Sequence, residues 1–498
     1  MSFWKKAKDD KKLIKNRVTT GKNFWSYLNR SFIFKVFFNV VYLYVLTFIL
    51  CGCIWKVSGK VFFSKDIFYI FVYLISVQIA IELYLYLFEK EIFKNNKKEL
   101  LLKTIVLLTI FFQSMFLNVP VFAKHEFIRY VFIAPAGIML MSLFFPVRLA
   151  FFYSFVIAVY MSFLDNLVPE SFYIIPVICV FSAFFIKDVR NRYQITKAGI
   201  YLAGITFLME IIGLFITSSF NLNKISLYAE GAVVTGALTI FSNFTFPYVL
   251  ESVFREITNI GLLELSDLNH KLLKNLLMVA PGTYHHSITV ANIAEAAAEA
   301  IGARSLLVRV MGYYHDIGKL VKPEYFSENE IGGKSIHSKL SPTMSSLIII
   351  SHVKNGVEIA KKYKLPKVII DGIREHHGTS LVYYFYKKAL EDAKTKDSVK
   401  EENFRYPGPK PQSRETAILS IADTVEAASR SLSEPSPSRI KGLVYDLLKD
   451  KYASGELDEC NLTFRELKII REVIIRVLTA RFHTRPVYPD KNNPSQKV

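Results

Sequence analysis

The sequence has 498 residues, of which 51% are hydrophobic and 21% charged, and its formal net charge is +19. A mean hydropathy of +0.27 argues against an ordinary soluble protein, whereas the charged fraction is too high for a chain that lies wholly in a membrane. The composition excludes collagen, a coiled coil and a disordered chain, and four scattered cysteines exclude a disulfide framework.

The chain divides into two unlike halves. Residues 1–260 contain 27 Lys/Arg against 15 Asp/Glu and all the long apolar runs, whereas residues 261–498 contain nine of the ten histidines. We therefore predict five segments in chain order: a basic cytoplasmic arm 1–30, a transmembrane domain 31–251, a helical linker 252–280, a histidine-rich helical domain 281–485 and a polar tail 486–498.

The first half predicts about eight transmembrane helices, since apolar stretches of about 20 residues are long enough to cross a bilayer. The candidate spans are 33–55, 67–88, 104–122, 127–147, 149–164, 171–187, 198–217 and 230–250. Lys and Arg concentrate in the arm and in the loops near 89–103 and 187–197, which predicts that these segments and both termini face the cytoplasm.

Two carboxylic acids, Glu82 and Glu210, lie inside predicted spans. A carboxyl group in hydrocarbon is costly, so each is a candidate functional group. The interpretation we favour is that both face the interior of the helix bundle, where they are protonated or hydrogen-bonded.

The second half predicts an all-helical domain. Leucines recur at helical spacing through 252–280, and Pro281-Gly282 is expected to break that helix. Further helices are predicted at about 287–301, 306–314, 342–351, 354–363, 366–376, 380–395, 413–432, 438–453 and 463–482. The charged and then Pro/Gly-rich segment 396–412 is expected to form a loop.

Histidines and aspartates carry the chemistry of this domain. They occur as His285-His286, His315-Asp316, His352, His376-His377 and Asp423. This mixture of imidazoles and carboxylates suits zinc, iron, manganese and related divalent ions. Asp423 lies in an apolar helical stretch, where a buried carboxylate needs a partner. Seven ligands are too many for one tetrahedral ion and favour two ions bridged by a carboxylate, with only one member of the His285-His286 pair needed as a ligand.

The motifs resemble those of HD-domain phosphohydrolases fused to a seven-helix membrane receptor module, and in particular the PgpH-type cyclic di-AMP phosphodiesterases. The segments that carry the resemblance are PGTYHHSITVANIAEAAAEAIG (281–302), YYHDIGK (313–319), ISHVKNGV (350–357), EHHGT (375–379), FRYPGPKPQ (404–412) and IADTVEAA (421–428). The resemblance implies an all-α chain with a polytopic membrane domain followed by a cytosolic HD-type metallohydrolase domain. This chain departs from the family pattern because only Lys56–Asp66 separates the first two spans, where the family usually has a large extracytoplasmic sensor domain.

The resemblance also implies a dinuclear site of iron or manganese. One ion would be held by His286, His315, Asp316 and Asp423. Asp316 would bridge to the second ion, which His352, His376 and His377 would hold. The implied reaction is hydrolysis of cyclic di-AMP to linear pApA.

Other residues are candidates for handling the substrate. Lys319, which follows the HD pair, can reach a phosphate oxygen and is expected to act in catalysis with Asp316. Further candidate substrate contacts are Arg405, Tyr406, Arg414 and Arg430, of which the arginines would bind phosphate and Tyr406 would support adenine.

Three alternative functions are left open. A cyclic di-GMP hydrolase of the HD-GYP group would need a GYP tripeptide after the second histidine pair, where this sequence reads HHGTSLVYYFY. A ppGpp hydrolase usually has one metal and fewer histidines, and a nucleotide-responsive membrane receptor with weak activity would be favoured only if metal ligands were missing.

The expected location is the bacterial inner membrane, with the catalytic domain in the cytoplasm. The expected partners are a cyclic dinucleotide and membrane lipid, with no nucleic acid polymer, and a homodimer is left open.

Overall fold

The computed structural model describes residues 32–58, 64–164, 169–186, 189, 191–216, 222–330, 336–393, 399–432 and 435–482. The predicted basic arm 1–30 and polar tail 486–498 lie outside these residues. The chain divides into two compact units, Met1–Ile260 and Gly261–Val498. The boundary between the two units falls inside the predicted linker 252–280.

The described residues of the first unit form eight helices of more than ten residues. They are α1 (Phe32–Ser58), α2 (Ser64–Phe88), α3 (Asn96–Asn118), α4 (Ala134–Phe144), α5 (Val147–Leu164), α6 (Pro169–Phe185), α7 (Arg192–Ile216) and α8 (Leu222–Phe254). Short helical turns lie between them at Lys90–Phe93, Pro120–Ala123 and Glu126–Tyr130. Only residues 59–63 lie between α1 and α2 in the sequence. Five residues are too few to form a domain between these two helices.

Each of the eight predicted spans overlaps one of these helices. Within the described residues, α1, α2, α3, α7 and α8 are long and apolar enough to cross a membrane, and α4, α5 and α6 are shorter apolar helices. The predicted span 127–147 becomes helical only at Ala134, because Glu126–Tyr130 forms a 3₁₀ turn and Pro135 lies in the first turn of α4, where proline is well tolerated.

Glu82 belongs to a largely buried network of charges that joins α1, α2 and α3. Lys35 Nζ lies 3.1 Å from Glu82 Oε2 and 3.0 Å from Glu99 Oε2. Lys103 Nζ lies 3.1 Å from Glu82 Oε1 and also pairs with Glu99, and Gln78 donates to Glu82 Oε1 at 2.9 Å. Two ammonium groups therefore neutralise two carboxylates, which agrees with the interior, hydrogen-bonded position that we favoured for Glu82.

Glu210 lies on α7 in a different environment. It is only 3% exposed, and neither of its carboxylate oxygens has a hydrogen-bond partner among the described residues. Its interior position agrees with the favoured interpretation.

The second unit is also helical. Its helices are α9 (Asn259–Leu265), α10 (Lys271–Val279), α11 (Pro281–Ala300), α12 (Ser305–Tyr314), α13 (Pro342–Lys362), α14 (Lys367–Glu375), α15 (Tyr383–Asp392), α16 (Arg414–Arg430), α17 (Pro437–Ala453) and α18 (Phe464–Arg481). Short 3₁₀ turns lie at Ile317–Val321, Pro323–Tyr325, Ser327–Asn329, Ile336–Lys339 and Glu401–Phe404. One isolated antiparallel bridge joins Leu381 to Arg405.

The predicted linker is two helices, α9 and α10, rather than one. Asp267 accepts a hydrogen bond from Asn269 N at 2.8 Å, and the His270 side chain accepts one from Leu272 N at the start of α10. These local side-chain bonds stabilise a turn in competition with the helix. Leucine spacing alone does not reveal this break.

Two further expectations are corrected. The linker helix does end before Pro281-Gly282, since α10 stops at Val279, but Pro281 also begins α11, because proline lacks the N–H that the first helical turn leaves unpaired and its fixed φ suits that position. The helix predicted at 287–301 therefore starts earlier and includes His286. The two helices predicted at 342–351 and 354–363 are the single helix α13.

The core of the second unit forms around α11. The side chains of Ala291, Ala294, Ala297 and Ala298 are fully buried, and α11 packs against α12, α16 and α18. A Cβ added at Gly312 of α12 would lie 2.6 Å from Ala291 Cα. Small residues thus allow close contact between α11 and α12, which carry the first histidines of the candidate site.

We expect Lys103→Met to destabilise the membrane unit. The substitution removes the partner of the buried Glu99 carboxylate and leaves Glu82 and Glu99 with one ammonium, and removing one partner of a buried ion pair costs about 3–5 kcal/mol. The full-length chain in detergent should unfold at a clearly lower temperature than the native chain. Lys90→Met, which changes an exposed lysine between α2 and α3, is the matched control, and equal melting temperatures for the two variants would contradict the role of the network.

Candidate metal centre

Seven of the predicted site residues meet in the second unit, carried by five helices. His286 lies on α11, His315 and Asp316 follow the last residue of α12, His352 lies on α13, His376 and His377 follow α14, and Asp423 lies on α16. Their ligand atoms form two groups, each within 4.8 Å: Asp316, His352, His376 and His377 in one, and His286, His315 and Asp423 in the other. Six of the seven are buried, and His377 is partly exposed.

The carboxylate of Asp316 lies between the two groups. Its Oδ1 is 3.3 Å from His352 Nε2 and 3.8 Å from His376 Nε2. Its Oδ2 is 3.3 Å from His315 Nε2 and 3.5 Å from His286 Nε2. One oxygen therefore faces each group, which is the arrangement that a bridging carboxylate requires.

The end of α12 explains how adjacent residues reach a common centre. The helix stops at Tyr314, Asp316 adopts φ −107° and ψ 14°, and a 3₁₀ turn begins at Ile317. A Cβ at Gly318 would lie 1.8 Å from the carbonyl oxygen of His352. Only glycine allows the backbone to pass this close to α13, so Gly318 sets the spacing between the HD pair and His352.

Hydrogen bonds outside the centre orient four of the five imidazole rings. The Nδ1 atoms of His315, His352 and His376 lie 2.8, 2.6 and 2.8 Å from the carbonyl oxygens three residues earlier. His286 Nδ1 lies 2.5 Å from Glu426 Oε2. A ring that donates through Nδ1 presents an unprotonated Nε2, and such outer partners commonly fix the tautomer of metal-binding histidines.

Divalent cations fit this set of side chains. Among the described residues, His315 Nε2 and Asp316 Oδ1 are buried without a hydrogen-bond partner, which is costly unless another group satisfies them. Nitrogen and carboxylate oxygen ligands suit iron, manganese and zinc. The centre therefore has both a ligand set and unsatisfied atoms that a cation would complete.

The protonation states of Asp316, His376 and His377 suit a cation, whereas neighbouring carboxylates, against the effect of burial, raise the pKa of His315 and of His286. Burial alone would raise the pKa of Asp316, but the neighbouring His315 and Lys319 hold it well below its usual range. Burial, together with the His315 ring, lowers the pKa of His376 to about 3, and burial similarly lowers the pKa of His377. Ionised carboxylates and neutral imidazoles are the forms that bind metal ions.

Lys319 lies beside the bridging carboxylate. Its Nζ is 2.8 Å from Asp316 Oδ2 and 2.7 Å from Glu328 Oε1. Burial opposes the charge of Lys319, but the two carboxylates raise its pKa above the ordinary value. Lys319 is therefore a buried, charged ammonium next to the candidate centre.

Arg405 and Tyr406 lie on a loop that bridges to the segment directly after His376-His377. The Tyr406 ring stacks on His377 with centroids 4.2 Å apart, and Tyr406 is buried. Arg405 donates to Thr379 O at 2.9 Å and pairs with Glu401. Both residues thus lie at the edge of the His377 group.

The other two predicted arginines have different surroundings. Arg414 donates to Ile301 O at 2.8 Å and pairs with Glu466, so it ties the ends of α11 and α18 to α16. Arg430 Nε lies 2.7 Å from Glu426 Oε1. In this structure Arg430 therefore supports the residue that orients His286, and Arg414 has a structural role.

Glu426 is a site residue that sequence reasoning missed. It is completely buried. Its Oε2 contacts His286 Nδ1, and its Oε1 pairs with Arg430 and Arg481. A signal was present, because Glu426 lies three residues after Asp423 on a helix and residues at that spacing share a face. His285 is exposed, as expected for the member of the pair that is not a ligand.

Comparisons with known proteins match both units. The family described as "HD domain" matches residues 283–428, and the family described as "7TM receptor with intracellular HD hydrolase" matches residues 64–258. The chain is 38% identical to the cyclic-di-AMP phosphodiesterase PgpH of Bacillus subtilis over 84% of this chain and 60% of that protein. It is 44% identical to the protein of the same name from Listeria monocytogenes over 62% of this chain and 43% of that protein.

A solved structure of an HD domain matches part of the chain. The crystal structure of the L. monocytogenes phosphodiesterase PgpH HD domain in complex with cyclic-di-AMP is 50% identical, covers 44% of this chain and 100% of that chain, and has a TM-score of 0.42. The chain spans less than two thirds of the length of the two curated relatives named above.

We expect Glu426→Gln to weaken metal binding by the group that contains His286. The amide removes the charged acceptor for His286 Nδ1 and leaves Arg430 and Arg481 without their carboxylate. Loss of such an outer partner typically costs about 10–100-fold in metal affinity. Isothermal titration of the metal-free full chain with Mn²⁺ measures this, and Glu472→Gln on the exposed face of α18 serves as the control. An unchanged affinity would show that Glu426 does not support the centre.

Proposed function

We propose a specific activity from one premise: this chain belongs to the family of seven-transmembrane receptors with an intracellular HD hydrolase. It is accordingly a multi-pass membrane protein with a divalent-metal-dependent HD domain. Within the family we assign to it hydrolysis of a phosphodiester bond of cyclic di-AMP, which gives linear pApA.

The position of Asp316 is the observation that carries this proposal. A carboxylate that turns one oxygen toward each of two ligand groups supports two ions, and the ligand set of imidazoles and carboxylates without thiolates favours manganese or iron. In this assignment His286, His315, Asp316 and Asp423 hold one ion, and Asp316, His352, His376 and His377 hold the other. The name shared by the relatives from B. subtilis and L. monocytogenes supports cyclic di-AMP as the substrate.

The residues of the centre have distinct roles in the proposed reaction. Bound divalent ions would supply an activated water and positive charge for the phosphoryl oxygens. Asp316 fixes the spacing of the two groups, and Lys319 is placed to bind a phosphate oxygen because its ammonium is buried beside Asp316. Tyr406 and Arg405, at the edge of the His377 group, are the candidates for contacts with the rest of the substrate.

Charge and topology are consistent with this assignment. Residues 261–498 contain 35 Lys/Arg and 28 Asp/Glu, a formal charge of +7, which favours the approach of an anionic substrate. We propose that α1–α8 lie in the bacterial inner membrane in contact with lipid and that the second unit lies in the cytoplasm. We propose no nucleic acid polymer as a substrate.

The full-length chain in detergent should hydrolyse cyclic di-AMP to pApA when Mn²⁺ or Fe²⁺ is added and should lose this activity in EDTA. Chromatographic separation of the nucleotides measures turnover, with cyclic di-GMP and ppGpp as comparison substrates. Turnover of either comparison substrate without turnover of cyclic di-AMP would contradict the substrate assignment.

Asp316→Ala should abolish both metal binding and activity, because it removes the oxygens that face both groups and leaves Lys319 paired with Glu328 alone. Metal content per chain and cyclic di-AMP turnover are the measurements. A variant that folds, binds two ions and retains activity would disprove the bridging role.

A further inference from the structure

His377 is held differently from the other four histidines of the centre. Each of those four rings has a hydrogen bond from Nδ1 to an oxygen outside the centre. Among the described residues the His377 ring has no such bond: its Nδ1 lies 3.6 Å from Asp423 Oδ2, and its face stacks on Tyr406. The position of His377 therefore depends mainly on the backbone turn that carries it.

That turn closes directly against Glu456. Gly378 adopts a left-handed φ of 55°, a conformation that favours glycine. Its N–H donates to Glu375 O at 2.9 Å, and Ser380 N donates to His377 O at 3.1 Å. A Cβ at Gly378 would lie 2.0 Å from Glu456 Oε2, so the turn is shaped to accept the Glu456 carboxylate.

Glu456 binds the residue that follows this glycine. Its Oε2 accepts a hydrogen bond from Thr379 N at 2.9 Å, and its Oε1 accepts one from Thr379 Oγ1 at 2.5 Å. Glu456 is only 4% exposed. Both of its carboxylate oxygens therefore accept hydrogen bonds from Thr379, which lies two residues after His377.

The end of α17 sets the direction of the Glu456 side chain. The helix ends at Ala453, and Gly455 adopts a φ of 70°. Gly455 N donates to Tyr452 O at 3.0 Å, and Glu456 N donates to Lys451 O at 3.1 Å. These two bonds form a Schellman cap, so Glu456 has a fixed backbone position at the end of a helix.

We propose that Glu456 is a positioning residue for the metal-binding group that contains His377. This inference rests on the proposed dinuclear site. Glu456 lies at the end of α17, after the segment 283–428 that matches the HD domain family. In this proposal α17 therefore helps to form the centre from outside that segment. Glu456 acts through the Thr379 backbone and hydroxyl on the turn, and through the turn on His377.

The effect should be confined to one group of ligands. His286 is oriented by Glu426, and His315 by Gly312 O, and neither contact involves the turn after α14. Loss of Glu456 should therefore weaken the ion held by His352, His376 and His377 and leave the other ion in place.

The test compares Glu456→Ala with Glu456→Gln in the full-length chain in detergent, titrated with Mn²⁺ after removal of metal. Glutamine keeps both bonds, because its amide oxygen accepts from Thr379 N and its amide nitrogen donates to Thr379 Oγ1. We expect the alanine variant to lose about 10–100-fold in affinity at one of the two sites and the glutamine variant to bind both ions almost as well as the native chain. Glu472→Ala on α18 is the control.

Three outcomes would overturn the proposal: native affinity at both sites in Glu456→Ala, an equal loss at both sites together with a lower melting temperature, or the same loss in Glu456→Gln as in Glu456→Ala. If Glu456→Ala does not fold, Thr379→Val, which removes one donor and keeps the backbone N–H, carries the test and should give a smaller loss at the same site. Because the measurement is ion binding, absence of cyclic di-AMP turnover by the native chain would contradict the proposed function without affecting this result.

Discussion

The second unit depends on a carboxylate, Asp316, that is buried between two groups of imidazoles. A buried charge needs a compensating partner, because the interior solvates it poorly. Lys319 supplies one positive charge at Oδ2, whereas Oδ1 has no hydrogen-bond partner among the described residues. The five helices that carry the ligands therefore meet around a group that a cation would stabilise, and metal binding should stabilise the fold as well as enable catalysis.

Close backbone packing makes this arrangement possible. Gly318 passes the carbonyl of His352 at a distance that no larger residue allows, and Gly312 does the same against Ala291. These contacts bring the HD pair, α11 and α13 within ligand distance of each other. Outer hydrogen bonds from Glu426 and from helix carbonyls then orient the rings, so the precision of the centre comes from residues that are not ligands.

The sequence was sufficient for some parts of this picture and insufficient for others. Apolar runs predicted the eight helices of the first unit, and the histidine and aspartate motifs predicted which side chains would meet. The role of Glu456 was not predictable, because its contact with Thr379 joins residues 77 positions apart and no local pattern encodes that pairing. The break between α9 and α10 was missed because leucine periodicity continues across a turn that Asp267 and His270 stabilise.

Both units place carboxylates in their interior, but the groups that compensate the negative charge differ. In the first unit, Glu82 and Glu99 are neutralised by Lys35 and Lys103 of the same chain, so the network is complete without a ligand and its role is structural. In the metal centre, Asp316 shares the Lys319 ammonium with Glu328, and ring nitrogens of His286, His315 and His377 face Asp423. Asp316 Oδ1 and His315 Nε2 are buried there without hydrogen-bond partners among the described residues. The convergence of unsatisfied nitrogen and oxygen atoms on one place, rather than the presence of buried carboxylates as such, is what distinguishes a cation-binding site from a buried ion-pair network.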